Sequence, residues 1–294
     1  MEVHLVDGTY ELFRYFFALP SHVDGSGREV AATRGVLGSI AGLVESGATH
    51  VGVATDHVIE SFRNDLYPGY KNGEGIDPQL RSQFALLETV LAAAGFTVWA
   101  MVEHEADDAL ASAAAVASAD SRVRRAVICT PDKDLGQCVT RDGRVVQLDR
   151  RRDLLIDHDG VVDKFGVEPG SIADYLGLVG DSADGFPGLP GWGAKSASTV
   201  LARYGHIEDI PTDAADWDVK VRGAQKLATT LAADLADALL FRRIATVERD
   251  VEVGTVDDWR WDGPSPDIDA VCADIDAPDL AVRLRRLAGG RSEG

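Results

Sequence analysis

The sequence opens with Val3-His4-Leu5-Val6-Asp7-Gly8-Thr9, a short apolar run that ends in an acid and a glycine. Three more apolar runs follow at intervals: Val51-Gly52-Val53-Ala54, Thr97-Val98-Trp99-Ala100 and Ala126-Val127-Ile128-Cys129. Short apolar runs bounded by turn residues are typical of buried strands. Because helical stretches separate them, the first half is predicted to form a parallel sheet with crossover helices.

Helices are predicted at residues 33–45, 79–94 and 107–117, where apolar or alanine-rich stretches have helical spacing. From residue 61 to 78 the pattern breaks at a segment rich in Tyr, Pro and Gly, a long connection typical of functional or mobile loops. After about Leu176 the chain is predicted to turn helical, with helices at residues 194–203 and 223–243. The tail from residue 257 to 279 is rich in Asp and Pro, and its structure stays open.

Length and composition narrow the class of protein. The 294 residues, 45% of them hydrophobic, suffice for one large α/β domain or two modest ones. The sequence has no apolar run of about 18 residues that would span a membrane, and its N-terminus lacks a secretory signal pattern. The widely spaced Cys129, Cys138 and Cys272 form no CxxC motif, which argues against a zinc site or a disulfide framework. We expect a reduced, cytoplasmic protein.

The net charge of −19 argues, at first sight, against a nucleic-acid-binding protein, since such proteins are usually basic. Two facts weaken this objection. A metal site built from carboxylates adds negative charge that bound cations offset, and a binding face can be locally basic on an acidic protein. The charge therefore leaves a nucleic-acid partner open.

Acidic side chains follow three of the predicted strands at the point where each strand ends. Asp7 follows the first strand, Asp56 follows the second, and Asp132 and Asp134 follow the strand that ends at Cys129. Ligands of open parallel sheets bind beyond the carboxyl ends of the strands, so these acids are expected at one edge. Acids at a predicted helix start and in a later loop complete a set of nine candidate ligands: Asp7, Asp56, Glu105, Asp107, Asp108, Asp132, Asp134, Asp181 and Asp184.

So many carboxylates in one place cannot all stay ionised without counter-cations. Oxygen ligands without a nearby His or Cys pair favour Mg²⁺ or Mn²⁺ over zinc. Two such ions about 4 Å apart are the usual arrangement for in-line attack on a phosphodiester. Each acid alone also has an ordinary structural explanation: Asp7 as a turn residue, Asp107 and Asp108 as acids at a helix N-terminus, and Asp132 as a turn or N-cap residue. Their joint placement favours the metal site.

Five blocks occur in a fixed order: residues 5–9 with Arg14 and residues 16–18; Asp56 with residues 62–63 and 67–71; residues 105–108; residues 132–135; and residues 177–181 with Asp184, residues 187–188 and residues 190–195. In this order they resemble the motifs of the 5′-nuclease superfamily. That superfamily includes the 5′–3′ exonuclease domain of bacterial DNA polymerase I, phage 5′-exonucleases and flap endonucleases. The resemblance runs from Leu5 to about Val253.

The resemblance implies an α/β fold with a mostly parallel central sheet flanked by helices, similar to the PIN-like 5′-nuclease core, and a C-terminal helix–hairpin–helix region. The implied domains are residues 1–176, with an arch segment at about 61–82, and residues 177–294. The implied activity is that of a structure-specific 5′-nuclease, either a 5′–3′ exonuclease or a flap endonuclease, that hydrolyses DNA with two metal ions. Since no polymerase domain follows in the sequence, a stand-alone nuclease is expected.

The resemblance also implies roles for single residues. Asp7, Asp56, Glu105, Asp107, Asp132 and Asp134 would hold the first metal ion. Asp108, Asp181 and Asp184, with Asp132 or Asp134, would hold the second. Lys71 and Arg14 would contact the scissile phosphate, where a positive charge stabilises the transition state.

Residues 188–198 resemble the helix–hairpin–helix of the family, with candidate DNA-binding residues Gly188, Gly191, Gly193, Lys195 and Ser196. Glycines allow the backbone to approach a phosphate closely, and helix N-termini bind anions. The resemblance implies a potassium ion in this hairpin. The protein is expected to be a monomer whose partner is DNA with 5′ ends, flaps or branches. No membrane partner is expected. RNA–DNA hybrids stay open as a second partner.

The chain departs from the family pattern in the arch and in the loop after Asp184. The family carries an Arg shortly after the Tyr-Lys pair, whereas Lys71 is followed by Asn72-Gly73-Glu74-Gly75. This departure keeps an alternative open, a branched-DNA-binding protein with weak or lost catalysis. A metal-dependent RNase or small-phosphoester hydrolase is a third possibility. Asp184-Gly185-Phe186-Pro187 replaces the common Asp-Asn-Ile-Pro and predicts altered loop flexibility rather than altered ligation.

Overall fold

A computed structural model describes residues 1–291 of the chain. The strands in this range are β1 (Glu2–Asp7), β2 (His50–Asp56), β3 (Thr97–Met101), β4 (Arg125–Cys129), β5 (Val145–Asp149) and β6 (Leu154–Ile156). The α-helices are α1 (Gly8–Ala18), α2 (Ala31–Glu45), α3 (Phe62–Leu66), α4 (Pro78–Arg81), α5 (Phe84–Ala93), α6 (Ala106–Ala119), α7 (His158–Phe165), α8 (Ile172–Val179), α9 (Ala194–Tyr204), α10 (Ala224–Ala233), α11 (Leu235–Ala245), α12 (Ile268–Asp274) and α13 (Pro278–Arg291).

The chain divides into two compact units. Unit 1 comprises Met1–Ile59, Gly73–Thr130 and Arg249–Gly294. Unit 2 comprises Glu60–Asn72 and Pro131–Glu248. The boundary predicted from the sequence, between residues 176 and 177, stays a prediction.

The core of unit 1 is a parallel sheet with the strand order β3-β2-β1-β4. In register, Val6 of β1 lies opposite Val53 of β2 and Cys129 of β4. These side chains are buried, as expected for a parallel sheet covered on both faces, whose strands read as continuous apolar runs. The predicted fold class, a mostly parallel sheet flanked by helices and a helical C-terminal region, is confirmed.

Aromatic packing joins the C-terminal segment of unit 1 to its sheet. Trp99 covers Gly52 so closely that a Cβ at Gly52 would lie 2.1 Å from the indole ring. Trp99 and Trp259 meet edge to face with ring centroids 5.5 Å apart, and both indole N–H groups donate to the carbonyl of Val253. Burying two indoles with their polar atoms satisfied stabilises this arrangement by several kcal/mol, about 1.5–3 kcal/mol for each large side chain.

Unit 2 contains the antiparallel pair β5–β6 and a helical core around α8 and α11. Phe186, in the loop after α8, stacks on Phe241 of α11 with centroids 5.7 Å apart. Tyr67 meets the same Phe241 ring edge to face at 5.6 Å. The segment that carries Lys71 is therefore packed against the loop that carries Asp181 and Asp184, through one shared aromatic ring.

Two predicted helices are each interrupted in the structure. Residues 79–94 form α4 and α5 with a break at Gln83. There the Gln83 N–H donates to the Leu80 carbonyl, and the Gln83 side-chain oxygen accepts two hydrogen bonds from Thr33. Residues 223–243 form α10 and α11, because the backbone leaves the helical region at Asp234. The helical part also begins earlier than predicted, with α7 and α8. Within residues 1–291, no helix has the length and apolarity needed to cross a membrane.

Candidate functional site

Three acids of unit 2 converge at one point. Asp134 begins a 3₁₀ turn that runs to Cys138, and Asp181 and Asp184 lie in the loop after α8. All three are buried, and one carboxylate oxygen of each lies within 4.8 Å of the others. Backbone hydrogen bonds close the loop in both directions, from Asp181 N–H to Phe186 O at 2.8 Å and from Phe186 N–H to Asp181 O at 3.1 Å. The loop thus holds two acids against the third.

The electrostatics of Asp134 match a cation site. Burial, followed by the nearby charges of Asp132 and Asp184, raises the pKa of the Asp134 carboxyl well above its usual range. Its Oδ1 atom is buried and has no hydrogen-bond partner among the described residues. A buried acceptor without a donor is costly unless a ligand satisfies it. Three carboxylate oxygens around such an atom suit a hard divalent cation with oxygen ligands.

Two lysines of unit 2 face these acids. The ammonium nitrogen of Lys71 lies 3.0 Å from Asp184 Oδ1. The ammonium of Lys133 contacts Asp181 Oδ2 and lies 4.0 Å from Asp134 Oδ1. Burial opposes the charge on Lys133, yet the carboxylates around it, Asp134 first, raise its pKa. Sequence reasoning assigned a role to Lys71 and none to Lys133, although its position between Asp132 and Asp134 was a signal.

The backbone of Lys71 is fixed on both sides. Its N–H donates to the carbonyl of Asp184 at 2.9 Å, and its own carbonyl accepts from Asn64 Nδ2 at 2.9 Å. The Asn64 side chain also caps α3, since its oxygen accepts from Ser61 N–H at 2.8 Å. Asn64 therefore connects α3 to Lys71, a function that the sequence did not reveal.

Gly185 is the residue that lets the two segments approach. Its φ of +86° suits glycine, and a Cβ built there would lie 2.2 Å from the carbonyl oxygen of Gly69. The sequence predicted that this departure from the family pattern alters loop flexibility. In this arrangement Gly185 has a steric role, because a Cβ at this position would collide with the Gly69 carbonyl oxygen.

Asp132 has an exposed side chain whose Oδ1 accepts from Asp134 N–H at 2.9 Å. This is the turn role considered for it from the sequence. A carboxylate has about four lone-pair positions, so one such bond leaves capacity for a cation.

The remaining acids lie in unit 1, at strand ends and at one helix start. Asp7 caps α1 through Tyr10 N–H at 2.8 Å and accepts from the Thr130 hydroxyl at 3.0 Å. Asp56 Oδ1 accepts from Ala106 N–H at 2.8 Å, which joins the end of β2 to the start of α6.

Glu105, Asp107 and Asp108 lie at the N-terminus of α6. Asp108 Oδ2 accepts from Glu105 N–H at 2.9 Å, a capping contact, and both side chains are buried, whereas Asp107 is half-buried. Asp7, Asp56 and Asp108 therefore have structural roles beside the predicted one. The assignment of all the acids of unit 1 as metal ligands stays a prediction.

Arg14, in unit 1, forms an ion pair with the buried Glu11 and stacks over the Tyr15 ring at 4.2 Å. These contacts fix its side chain on α1. Its predicted contact with a scissile phosphate stays a prediction.

The predicted helix–hairpin–helix corresponds to α8, the connection through residues 180–193, and α9. Gly188 has φ +68°, and a Cβ built on Gly188 would lie 2.3 Å from the backbone nitrogen of Gly180. Gly191 also has positive φ, at +87°. Gly193 caps α9, and its N–H donates to Ser196 Oγ at 3.0 Å. Lys195 is exposed in the first turn of α9.

This hairpin leaves backbone N–H groups and an ammonium at a helix N-terminus, which favours an anion. The binding roles of Gly188, Gly191, Gly193, Lys195 and Ser196 stay predictions.

Comparison with known proteins decides the family. The model of the N-terminal resolvase-like domain of 5′–3′ exonucleases matches residues 2–166, and the model of their C-terminal SAM fold matches residues 167–267. The chain belongs to the 5′–3′ exonuclease family. The 5′–3′ exonuclease of Aquifex aeolicus is 33% identical over 210 residues, which are 71% of each chain.

DNA polymerase I of Pseudomonas aeruginosa is 34% identical to this family member over 253 residues. The match covers 85% of this chain and 27% of that protein, so the chain spans about a quarter of the length of the polymerase. The resemblance inferred from the five sequence blocks is thereby confirmed.

Solved structures show the same fold. The T5 D15 protein co-crystallised with metal ions superposes with a TM-score of 0.67 at 17% identity and covers 98% of this exonuclease-family chain and 100% of its own. The T5 D15 flap endonuclease in a pseudo-enzyme–product complex with DNA and metal ions gives 0.65 at 19% identity, with the same coverage. At these identities the likeness concerns the fold alone.

Proposed function

We propose that the protein is a structure-specific 5′-nuclease, a 5′–3′ exonuclease or flap endonuclease that hydrolyses DNA phosphodiesters. The observation that carries the proposal is the buried triad Asp134, Asp181 and Asp184 with the Lys71 ammonium 3.0 Å from Asp184. Three acids that share a buried point suit a cation, and a lysine beside them suits a phosphate. Membership of the 5′–3′ exonuclease family supports the same activity.

Asp134, Asp181 and Asp184 would hold a divalent cation, Mg²⁺ or Mn²⁺ by the chemistry of their oxygen ligands. When bound, such an ion supplies charge stabilisation to phosphoryl oxygens and lowers the pKa of water. We extend the proposal to two ions shared among the nine predicted acids, since T5 D15 is crystallised with metal ions. A potassium ion at the hairpin belongs to the same proposal.

Lys71 would neutralise charge on the phosphate that is cut. Fixed backbone contacts limit the positions that the Lys71 ammonium can reach, and a charge placed in advance stabilises a transition state at little reorganisation cost. The Lys71 N–H and carbonyl are both held, by Asp184 and Asn64. Arg14 would add a second positive charge from α1.

Duplex DNA is the proposed partner, with 5′ ends, flaps or branches as the preferred forms. The hairpin at Gly188–Gly193 and Lys195 would hold the duplex through phosphates, without reading sequence. The T5 D15 flap endonuclease has been solved in a complex with DNA, and the Rad2 catalytic core in a complex with a DNA substrate. We propose a cytoplasmic monomer and leave RNA–DNA hybrids as a second substrate to be compared.

The proposal is tested with a 5′-flap duplex labelled at its 5′ end, incubated with Mg²⁺ or Mn²⁺. The wild type should release short 5′ fragments, and Asp132→Ala should reduce the rate by at least about a hundredfold. An all-RNA flap and an RNA–DNA hybrid run beside it separate the substrate classes. Tight flap binding without turnover at any metal concentration would favour the branched-DNA-binding alternative that Glu74 and the missing arch arginine keep open.

A further inference from the structure

Lys133 has a position that the proposed reaction does not require. Its backbone lies between Asp132 and Asp134, and its half-buried ammonium contacts Asp181 Oδ2. The same nitrogen is 4.0 Å from Asp134 Oδ1, the buried oxygen without a hydrogen-bond donor among the described residues. Lys133 thus faces two of the three acids of the triad.

The charge balance of the triad explains why a lysine is useful there. Three carboxylates within 4.8 Å of one another repel strongly when no cation is present. Lys71 faces the third acid, Asp184, at 3.0 Å. Asp184 is therefore paired with Lys71. The Lys133 ammonium contacts Asp181 and lies 4.0 Å from Asp134 Oδ1, so its charge acts on the other two acids.

The contact of Lys133 is in conflict with a bound divalent cation. A cation held by the triad needs the lone pairs of Asp181 and Asp134, and the ammonium is directed at an oxygen of each. Two positive charges at the same oxygens also repel each other. Each positive charge therefore weakens the binding of the other to these two acids.

We propose that Lys133 is an internal counter-cation, which holds Asp181 and Asp134 while no metal is present and is displaced when a divalent cation binds. Lys133 stabilises the metal-free protein and weakens its affinity for metal. The triad then binds a divalent cation only when the metal concentration is high enough to displace the Lys133 ammonium. This inference rests on the metal site of the proposed function, and it assigns Lys133 a positioning role rather than a catalytic one.

The first test measures the reactivity of Lys133 without DNA or turnover. The wild type is treated with an amine-acylating reagent in EDTA and in a Mn²⁺ series, and the modification of each lysine is read by mass spectrometry. Acylation of Lys133 should rise several-fold on addition of Mn²⁺, because release from Asp181 exposes the amine. Exposed Lys226 should react equally in both conditions. Unchanged or reduced labelling of Lys133 with Mn²⁺ would overturn the inference.

The second test compares Lys133→Met, Lys133→Arg and the control Lys226→Met. Calorimetric titration with Mn²⁺ should show Lys133→Met binding roughly tenfold tighter than wild type, since one repelling charge is removed. In EDTA its Tm should be lower than wild type, since buried carboxylates lose their partner. Lys133→Arg, which keeps the charge, and Lys226→Met should both stay near the wild-type values.

The outcomes separate the two proposals. If wild type binds no divalent metal, the proposed function and this inference both fall. If wild type binds metal while Lys133→Met binds it equally or more weakly, only the inference falls. Tighter binding together with metal-induced labelling of Lys133 supports both.

Discussion

Lys71 and Asp184 are joined twice, through the backbone and through their side chains. The N–H of Lys71 donates to the carbonyl of Asp184 at 2.9 Å, and its ammonium lies 3.0 Å from Asp184 Oδ1. Asp184 therefore anchors Lys71, which is proposed to contact phosphate. Asp184 also belongs to the triad that is proposed to hold metal. Displacing either residue should disturb both functions.

Replacing Lys71 should separate chemistry from folding. Lys71→Ala should reduce single-turnover cleavage of a 5′-flap duplex by about a hundredfold or more, because a fixed positive charge near the phosphate is lost. With Mn²⁺ present its Tm should change little, because the cation offsets the charge of Asp184 and the backbone bonds to Asp184 and Asn64 do not depend on the side chain. Lys71→Arg should recover part of the rate. A full rate for Lys71→Ala would remove this residue from the mechanism.

Gly185 should tolerate no side chain. Gly185→Ala places a Cβ 2.2 Å from the Gly69 carbonyl oxygen at a φ of +86°, and the positive φ alone costs roughly 1–3 kcal/mol. Urea denaturation should show this loss, and cleavage should fall as Lys71 moves. The matched control is Gly170→Ala, also in unit 2, where a Cβ meets nothing within 4 Å. Equal stabilities of the two variants would contradict the steric role.

The contact between Gly185 and Gly69 shows what the sequence could and could not predict. Strands such as β2 were predictable because their apolar runs report burial on both faces of a parallel sheet, as at Val51–Ala54. Because these strands could be predicted, Asp7 and Asp56 could be placed at their ends. The contact between the two glycines could not be predicted, because it joins segments far apart in the chain.

Helix interruptions were missed for a similar reason. The pattern from residue 79 to 94 is compatible with one helix. The break lies at Gln83, whose side-chain oxygen accepts from the N–H and the hydroxyl of the distant Thr33. Lys133 shows a third limit. Its motif was recognised, but the partner Asp181 comes from another part of the chain, so the ion pair was not visible in the sequence.

Metal should stabilise the protein through the triad. At a concentration about a hundred times the dissociation constant, a bound ligand contributes about 2.7 kcal/mol, which raises Tm measurably. Asp181→Asn should lose most of the shift that Mn²⁺ produces in wild type. Asp209→Asn, an exposed acid of the same unit, should keep it. A full Mn²⁺ shift in Asp181→Asn would exclude Asp181 as a ligand.

The hairpin should contribute to DNA affinity through charge. Lys195→Ala should weaken binding to duplex DNA independently of sequence, and the slope of log affinity against log salt should decrease by about one. Ser196→Ala should cost about 1 kcal/mol of stability instead, because it removes the hydroxyl that accepts from Gly193 N–H at 3.0 Å. Fluorescence anisotropy at several salt concentrations measures the first effect. An unchanged salt slope for Lys195→Ala would place Lys195 outside the duplex contact.

His50 should make unit 1 sensitive to mild acid. Burial, first among the causes, lowers the pKa of this imidazole below its ordinary value. Stability due to neutral His50 is therefore complete above about pH 6.5 and is lost as the pH falls through the lower folded-state pKa. Between about pH 7.5 and 5, wild type should lose more Tm than His50→Gln. Parallel curves for the two proteins would contradict this origin of acid sensitivity.

The buried acids of unit 2 are proposed to hold a divalent cation that supports cleavage at 5′ ends. The most direct measurement is the single-turnover cleavage rate of a 5′-flap duplex as a function of Mn²⁺ concentration, for wild type and Asp181→Ala. The wild-type rate should be at background in EDTA and should rise to saturation with Mn²⁺, whereas Asp181→Ala should lose about a thousandfold at every concentration. Cleavage by wild type in EDTA, or equal Mn²⁺ curves for the two proteins, would contradict the claim.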